Sequence, residues 1–529
     1  MGISAKPLAA ALCVAGVAFA GGVSAQAPQR GGTGIFTVTQ DPPTLNPDVS
    51  SGVPDHQVGC IIYEGLIEVS PDYKVLPLLA KSWTVSPDGL TYSFDLISTK
   101  WTDGKPLTSE DVRFSIMEVA AKYSPTFAPA GRVLDKIETP APDKVVIKLK
   151  QPFGPFFEAL TCQQGSAILP SHLMAGTNVL QNPASLDKPV GTGSFTLAEW
   201  KRGDYMRLKR NDQYHVAGKP YLDEIVAKVI TSAAARIQAL QAGEVDQVRG
   251  LSPNEQRTVA SLPKLKVVVN DVSPSMDQIF FNTIRKPFDD RRVRQALMMA
   301  VDRDYIFKTA FFNIGKKSTQ PFTTDIAWYG NPDIDYDKMY PYDPKAAEAL
   351  LDEAGLKRGA DGKRFPLKLL TYANDYPEFM EVAGAMKSMY LAIGVDASVE
   401  SQERASLLKR VFQDKDFDMS FQNYASNYDP ALGMAKAYVT AQIGLTFGNA
   451  GSYSNPQVDE LFVQGQSGTS FDERAKHYRE VQAILARDVP IFNIHQRRSV
   501  DGASVRLQGV WGKVQSTGGN WVDAWLSKE

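Results

Sequence analysis

The sequence predicts a multidomain protein of mixed α/β class, and two observations lead to this prediction. Segments with the two-residue alternation of strands and segments with apolar residues along one helical face follow one another through the whole chain. At 529 residues, the chain is also longer than a single hydrophobic core usually supports. It contains no internal repeat and no low-complexity linker, so we expect several globular domains in close succession.

Local patterns place the clearest elements. Thr108 and Asp111 resemble a capping box, which predicts that a helix begins between them. Two amphipathic helices are expected from Pro344 to Gly355 and from Phe471 to Arg487. Strands are expected at Ile35–Thr39, Thr91–Leu96, Val145–Leu149 and Pro490–Ile494.

The N-terminus has the pattern of a cleavable secretory signal. Lys6 is the only charge before Arg30, an apolar run extends from Leu8 to Ala20, and small residues follow at Val23-Ser24-Ala25. The run is shorter than the ~20 residues that a membrane-spanning helix needs. We therefore expect residues 1–25 to be removed, and the mature chain to work in the periplasm without stable membrane insertion.

Composition and charge exclude some classes of partner. The formal net charge is only −2, which does not suggest binding to nucleic acid or to an anionic membrane surface. The hydrophobic content of 43% and the charged content of 22% are ordinary for a globular chain. After removal of the signal, Cys60 and Cys162 remain. In an oxidising compartment they form either a disulfide or two buried thiols, and the sequence leaves both open.

No catalytic or metal-binding motif stands out. The chain has no phosphate-binding loop, no dinucleotide fingerprint and no His-Glu-x-x-His pair, and its five histidines are scattered. We therefore predict no catalytic residue, no metal site and no cofactor, and we expect that the protein is not an enzyme. Most of its 20 tyrosines, 25 phenylalanines and 7 tryptophans are expected in the core. A minority lining a cleft would suit a partly polar, partly apolar solute.

An ordered set of sequence blocks resembles one protein family. The blocks are Pro42–Pro47, Tyr63–Leu66, Leu76–Trp83, Ser86–Leu96, Lys100–Ser115, Pro189–Tyr214, Gly218–Ile230, Ala239–Asp246, Phe280–Ile306 and Tyr342–Leu356. Together they resemble the extracellular solute-binding proteins of the dipeptide, oligopeptide and nickel class, family 5, which serve ABC importers. The blocks keep the family's order from about Thr33 to His495, which is most of the mature chain.

The resemblance implies a two-lobed periplasmic-binding-protein fold with an extra inserted domain and a ligand cleft between the lobes. The expected segments are residues 26–70, 190–280 and 500–529 for domain I (the first lobe), 71–189 for domain II (the inserted domain) and 281–499 for domain III (the second lobe). The chain would cross between the lobes near Phe280 and Ser499, where we expect hinges.

The resemblance also implies ligand-binding positions on the first lobe and the inserted domain. Gly52-Val53-Pro54 resembles the first-lobe loop of the oligopeptide binders, so Val53 is a candidate. Ser51 stands where those proteins have an acid, and it is a candidate as well. Gln163 matches a ligand-facing position of the inserted domain.

On the second lobe, peptide-binding members carry an acidic side chain that pairs with the peptide's α-amine. In this chain, Tyr424 falls where the family usually has tryptophan, and the acid position falls on Asn427, or on Ser426 if a one-residue gap is placed later. A buried ammonium ion needs a charged partner, so these neutral side chains predict that free-amine di- and tripeptides bind poorly and that solutes blocked or uncharged at that end bind better. Asp429 precedes Pro430, and we expect it to have a structural role.

The function that the resemblance implies is capture of a peptide-like or other small polar solute for an ABC importer. The expected partners are the solute and a permease with two transmembrane subunits and ATPases, and a monomer is expected. A chaperone or sensor with the same fold is the alternative, and a secreted hydrolase is a third. Peptide, opine, modified sugar and metal chelate all stay open as the solute.

Overall fold

The computed structural model describes residues 27–70, 74–372, 376–511 and 521–528. The predicted signal, residues 1–25, lies outside the described residues. Among the described residues, no helix combines the length and the apolar content that crossing a membrane requires.

The strands account for the sheets of every domain. In chain order they are β1 Thr33–Val38, β2 Ile67–Val69, β3 Val75–Pro77, β4 Ala80–Val85, β5 Thr91–Leu96, β6 Leu134–Ala141, β7 Lys144–Leu149, β8 Phe195–Lys201, β9 Tyr205–Arg210, β10 Glu224–Val229, β11 Gln247–Val248, β12 Leu265–Phe281, β13 Lys316–Lys317, β14 Phe365–Thr371, β15 Val395–Ser401, β16 Met419–Ala425, β17 Ile491–Ser504, β18 Leu507–Gln508 and β19 Trp525–Leu526.

The α-helices pack on these sheets. They are α1 Val53–Ile62, α2 Ser109–Arg113, α3 Ala121–Tyr123, α4 Ala128–Val133, α5 Phe156–Ala159, α6 Ser171–Met174, α7 Pro183–Leu186, α8 Ala233–Ala242, α9 Pro253–Ala260, α10 Arg291–Met299, α11 Arg303–Thr309, α12 Tyr336–Met339, α13 Pro344–Glu353, α14 Glu378–Ala392, α15 Arg404–Leu408, α16 Ala435–Tyr438, α17 Pro456–Ser467 and α18 Phe471–Asp488. Wider π-helical turns at Phe114–Ala120 join α2 to α3.

The fold is mixed α/β, as predicted, and the elements expected from local patterns are confirmed with small shifts at their ends. The strand predicted at Thr91–Leu96 has those bounds, and Asp111 Oδ2 accepts from the Thr108 backbone N–H at 2.8 Å, as a capping box requires. The largest difference concerns the strand expected at Pro490–Ile494. It extends to Ser504 as β17, because pairing with β12 continues far beyond the apolar stretch.

One eleven-stranded sheet runs through domains I and III in the order β15-β14-β16-β12-β17-β11-β1-β10-β9-β8, with β13 also pairing with β17. Its centre is the antiparallel pair β12 and β17. Parallel pairs lie on both sides, β14 with β15 and β16, and β1 with β10 and β11. Domain II has its own four-stranded antiparallel sheet, β4-β5-β7-β6.

Three large hydrophobic cores hold the molecule together. The largest contains buried residues between Met276 and Ile494. The second joins the first strands and α1 to β8–β10 and to Trp521, and it also takes in Ala167, Met174 and Ala184 of the predicted domain II. The third lies between Leu66 and Ile168. The domain boundaries themselves stay predictions.

The two long strands β12 and β17 cross from domain I to domain III. Their pairing is regular except between Asn270 and Ser275 and between Asp277 and Gln278. Ser499 pairs with Asn270 at the edge of the larger irregularity, and the hinge expected near Ser499 stays a prediction. Phe280 lies in regular, buried pairing, and the larger irregularity on β12 lies five to ten residues before it.

Candidate functional site

The first candidate residues lie where α1 begins in domain I. Ser50 shapes this turn, because its hydroxyl oxygen accepts from the Gly52 backbone N–H at 2.9 Å and its hydroxyl bonds to the Asp55 carboxylate. His56 Nε2 donates to the Ser50 carbonyl at 2.9 Å. Burial is the main reason that the pKa of His56 is lowered, so the imidazole is neutral here. The turn leaves Ser51 and Val53 exposed, with 54% of Val53 accessible.

Gln163 lies in a short 3₁₀ turn of domain II, Cys162–Gln164, that is tied to α1. Cys162 forms a disulfide with Cys60 of α1, with Cα atoms 5.8 Å apart, which resolves the choice that the sequence left open. The turn closes on Gly165, whose φ of +68° favours glycine. A Cβ at Gly165 would also lie 2.2 Å from the Ser124 hydroxyl oxygen.

The candidates of domain III follow one another at the end of β16. Tyr424 is buried, and its hydroxyl donates to the Gly448 carbonyl at 2.7 Å. Ser426 is also buried, and its hydroxyl oxygen has no hydrogen-bond partner among the described residues. Asn427 has a φ of +46°, and its Nδ2 donates to the Leu432 carbonyl at 2.9 Å. Asparagine and aspartate tolerate this left-handed conformation better than other non-glycine residues.

The backbone connects the end of β16 to the crossing strands. The Ser426 N–H donates to the Pro274 carbonyl at 2.8 Å, and Pro274 lies in the irregular part of β12. Nearby on β12, buried Asp277 accepts from Asn423 Nδ2 at 2.7 Å and from Arg497 at 3.0 Å. The candidates of domain III therefore lie beside the segment where a hinge is expected.

Asp277 is part of a buried charge network. Burial alone would raise the pKa of Asp277, but Arg497, His495 and Asn423 outweigh burial and hold that pKa below its usual value. His495 Nδ1 lies 2.9 Å from Asp277 Oδ2. Arg497 also pairs with Glu378 of α14. This network fixes β12 and β17 to the rest of domain III.

A second group of charges lies where domain II meets domain III. Arg474 of α18 pairs with Asp429, and its Nε donates to the Gly465 carbonyl at 2.6 Å. Burial lowers the pKa of Arg474, but the carboxylate of Asp429 raises it by more. A Cβ at Gly154 of domain II would lie 2.5 Å from this guanidinium, so the close approach of the two domains requires glycine there. Asp429 has the structural role that the sequence predicted.

Glu158 of α5 faces this ion pair across the junction. Burial, and then the charge of Asp429, raise the pKa of Glu158 to about 8, although a hydrogen bond from the Tyr428 backbone lowers it. Glu158 as a residue is half-buried, but its Oε1 atom is fully buried. The two sides enclose a cavity of about 190 Å³, lined by Val69, Val75, Gly154, Pro155, Phe157, Glu158, Tyr428, Asp429, Thr469, Ser470, Phe471 and Arg474.

The structure groups the predicted site residues into two sets. Ser51, Val53 and Gln163 lie on or beside α1, whereas Tyr424, Ser426 and Asn427 lie on domain III. Sequence reasoning missed Glu158 and its cavity. No signal marks Glu158 in the sequence, because it lies in the aromatic segment Phe156-Phe157-Glu158-Ala159 with no neighbouring charge. Among the described residues, no group of three or more metal-ligating side chains has the arrangement of a metal site.

The sequence matches the bacterial extracellular solute-binding proteins of family 5, through the middle region of that family, over residues 74–444. The match covers more than half of the chain, and the chain therefore belongs to this family. The family is one of substrate-binding proteins of transporters, found outside the cell or in the periplasm.

The relatives agree with the family assignment. The oligopeptide-binding protein AppA of Bacillus subtilis is 28% identical over 488 residues, which cover 88% of this chain and 86% of AppA. The glutathione-binding protein GsiB of Escherichia coli K12 is 27% identical over 505 residues, covering 91% and 92%. NikZ from Campylobacter jejuni, crystallised with Ni(L-His), has a TM-score of 0.78 at 25% identity, covering 92% of this chain and 97% of NikZ.

These findings establish the role of the molecule. It is the substrate-binding component of an ABC importer, with the fold of the periplasmic binding proteins of family 5. Such a component works with a permease and an ATPase. The prediction made from the ordered sequence blocks is confirmed at this level.

Proposed function

We propose that this protein, as a secreted monomer, encloses a small peptide-like solute between domain I and domain III and delivers it to a permease with two transmembrane subunits. It binds the solute without chemical turnover. We also propose that residues 1–25 act as the export signal and that the predicted domain boundaries hold.

The observation that carries this proposal is the pair of crossing strands, β12 and β17. Both are irregularly paired between domain I and domain III, at Asn270–Ser275 and the facing Arg497–Ser499. Two lobes that are joined through a short irregular stretch can rotate as rigid bodies. A solute that contacts both lobes favours the closed arrangement by its differential affinity for that arrangement.

The polar groups on the two sides support a neutral, adaptable binding surface. The proposed groups are Ser51, the backbone at Val53 and Gln163 in domains I and II, and Tyr424, Ser426 and Asn427 in domain III. Hydroxyl, amide and backbone groups replace the hydration of a polar solute without requiring one fixed charge pattern. The hydroxyl of buried Ser426 has no hydrogen-bond partner among the described residues, and a solute group that reached it would satisfy it.

The relatives favour solutes built from amino acids. The structure of AppA from Bacillus subtilis holds a nonapeptide, GsiB is described as binding glutathione, and NikZ holds nickel with L-histidine. The organic parts of these solutes share amine and carboxylate groups. We propose the same chemical class for this chain.

Mass spectrometry of protein isolated from its native periplasm tests the proposal most directly. We expect one co-purifying small molecule with amide or amine groups. After incubation with the protein, this molecule should be released with its mass unchanged. Catalytic turnover of a peptide, ester or glycoside that one side-chain substitution abolishes would contradict the binding role.

Asn427→Asp tests the placement of the domain III candidates. Aspartate fits the left-handed backbone of this residue and adds a carboxylate at the acid position of the family. If position 427 faces the solute, calorimetry should show stronger binding of free-amine peptides and unchanged binding of N-acetylated ones. If the variant and the original bind each peptide with the same affinity, Asn427 does not face the solute.

A further inference from the structure

The cavity between domain II and domain III contains a carboxyl group whose hydrogen bonding is incomplete. Glu158 receives a hydrogen bond from the Tyr428 backbone, but its Oε1 atom has no partner among the described residues. A neutral carboxyl group would need an acceptor for its O–H, and an ionised one would need donors or a cation. Neither state of Glu158 is satisfied by the protein groups around it, which points to a missing partner.

The charges around Glu158 do not supply that partner. Arg474 is the cation of the cavity wall, and it is held by Asp429, by the Gly465 carbonyl and by the Tyr478 hydroxyl at 3.4 Å. With Arg474 neutralised by Asp429, an ionised Glu158 leaves one negative charge in excess. Among the described residues that line the cavity, there is no further charged side chain.

The other titratable groups near this cluster stay uncharged at neutral pH. Tyr478 lies against Asp429 and Arg474, and burial raises its pKa. Burial also raises the pKa of Tyr92 of domain II to about 12, although Arg474 lowers it. The charge balance of the cavity therefore depends on Glu158 alone, and in the absence of a cation the carboxyl group holds its proton at neutral pH.

Residues close in sequence to the predicted solute positions line the cavity on both sides. Tyr428 and Asp429 in its wall follow Asn427 directly, and Glu158 precedes Gln163 by five residues on the same short segment of domain II. The cavity has about 190 Å³, which is room for a side-chain-sized group and not for a whole peptide. Phe157 and Phe471 supply apolar walls for the carbon atoms of such a group.

We propose that Glu158 binds a primary ammonium group of the solute in this cavity. The inference rests on the proposed function and names a chemical class within it, solutes that carry an amine. The ammonium N–H donates to the carboxylate of Glu158, and the carboxyl proton of Glu158 leaves to the solvent. Domain II thus supplies the carboxylate that is missing at Asn427 of domain III, which reverses the preference for blocked solutes expected from the sequence.

Calorimetry with tri-alanine and N-acetyl-tri-alanine tests the inference on the full-length mature protein. We expect tri-alanine to bind about tenfold to a hundredfold more tightly, as the loss of one charge-assisted hydrogen bond implies. In Glu158→Gln this preference should disappear, while the acetylated peptide binds as before. A preference that persists in Glu158→Gln would overturn the inference.

The pH dependence gives a second readout. Between pH 5.5 and 7 the peptide amine stays charged, and the solute competes with a proton for Glu158. The affinity of the original protein for tri-alanine should therefore rise by about tenfold per pH unit, with release of about one proton per peptide bound. Glu158→Gln should show neither the rise in affinity with pH nor the proton release. Asp246→Asn is the control, because burial also raises the pKa of Asp246, and this variant should show both effects.

The outcome separates this inference from the proposed function. If neither peptide binds, a peptide-like solute is ruled out, and the cavity is tested with propylammonium chloride instead. Compared with the same concentration of sodium chloride, that salt should raise the melting temperature of the original protein by more than it raises that of Glu158→Gln. Equal shifts would overturn the ammonium site. Far-UV circular dichroism and a single cooperative thermal unfolding transition without ligand verify that Glu158→Gln is folded.

Discussion

Domain II is attached to its two neighbours in different ways. Towards domain I it has the disulfide between Cys60 and Cys162, and a shared hydrophobic core that includes Ala167 and Met174. Buried hydrogen bonds reinforce that junction, among them one from the Ala167 N–H to Asp48 at 2.7 Å. Towards domain III, the contacts include a backbone bond from Gly154 to Gln466 at 2.8 Å, the packing of Leu432 and the residues around the cavity of Glu158.

The difference indicates which parts of the molecule move together. We expect domains I and II to move as one rigid body, because separating them would break a covalent link and expose buried apolar surface. The junction with domain III combines apolar and charged side chains and is incompletely packed, which suits contacts that open and close. A solute held there by Glu158 would join the moving halves.

The largest expected effect concerns the junction with domain I. Replacing both Cys60 and Cys162 by serine removes a cross-link that closes a loop of 102 residues. Loop-closure entropy predicts a loss of about 4 to 5 kcal/mol in the free energy of unfolding. Urea denaturation measures it, and reduction of the original protein should reproduce it. An unchanged midpoint would mean that the cross-link does not constrain the unfolded chain.

The next effect concerns the strands that cross into domain III. Asp277→Asn leaves Arg497 with Glu378 as its remaining partner, and we expect a loss of about 3 kcal/mol in stability. Because the pKa of Asp277 is lowered, its contribution is present above the unfolded pKa of about 3.9 and is lost as the pH falls through the folded pKa. The stability difference between Asp277→Asn and the original should therefore shrink below pH 4.

Asp95→Asn is the control for Asp277→Asn. Asp95 forms an exposed pair with Lys144, so its loss should lower the stability far less than Asp277→Asn does. If both variants lose the same stability in urea, the buried network does not anchor β12 and β17.

A smaller effect is expected at the junction with domain III. The folded pKa of Glu158 is about 8, above its unfolded value, so its stabilising contribution is complete below about pH 4.3 and is lost as the pH rises through 8. Without ligand, Glu158→Gln should gain stability relative to the original between pH 6 and 8, by at most about 1.4 kcal/mol per pH unit. Thermal unfolding across this pH range measures it. A constant difference would show that Glu158 is ionised throughout.

The smallest effect is the change in shape. If domains I and II move as one body, bound solute should reduce the radius of gyration by an amount on the order of 1 Å. Small-angle scattering with and without the co-purified solute measures it, and the double cysteine variant should close to the same extent. Identical profiles at saturating solute would contradict the two-lobed closing motion.

Much of the fold was predictable because it depends on local patterns. The alternation at Thr91–Leu96 and the cap at Thr108 specify their elements within a few residues of chain. The full length of β17 was not predictable, since its polar second half becomes a strand only through pairing with β12. In the irregular backbone after Asn270, only Pro274 gives a local signal, because a proline inside a strand cannot donate to the ladder.

By itself, the sequence determined the mixed α/β class, the family and its transport role, and the absence of a carboxylate at positions 426 and 427. Only the tertiary structure decided that Cys60 and Cys162 are bonded and that Asp429 is neutralised by Arg474. It alone placed Glu158 in a cavity with an unsatisfied oxygen. The physical reason is that ordered motifs persist along the chain, whereas burial and charge pairing depend on residues that are distant in sequence and meet only in the folded protein.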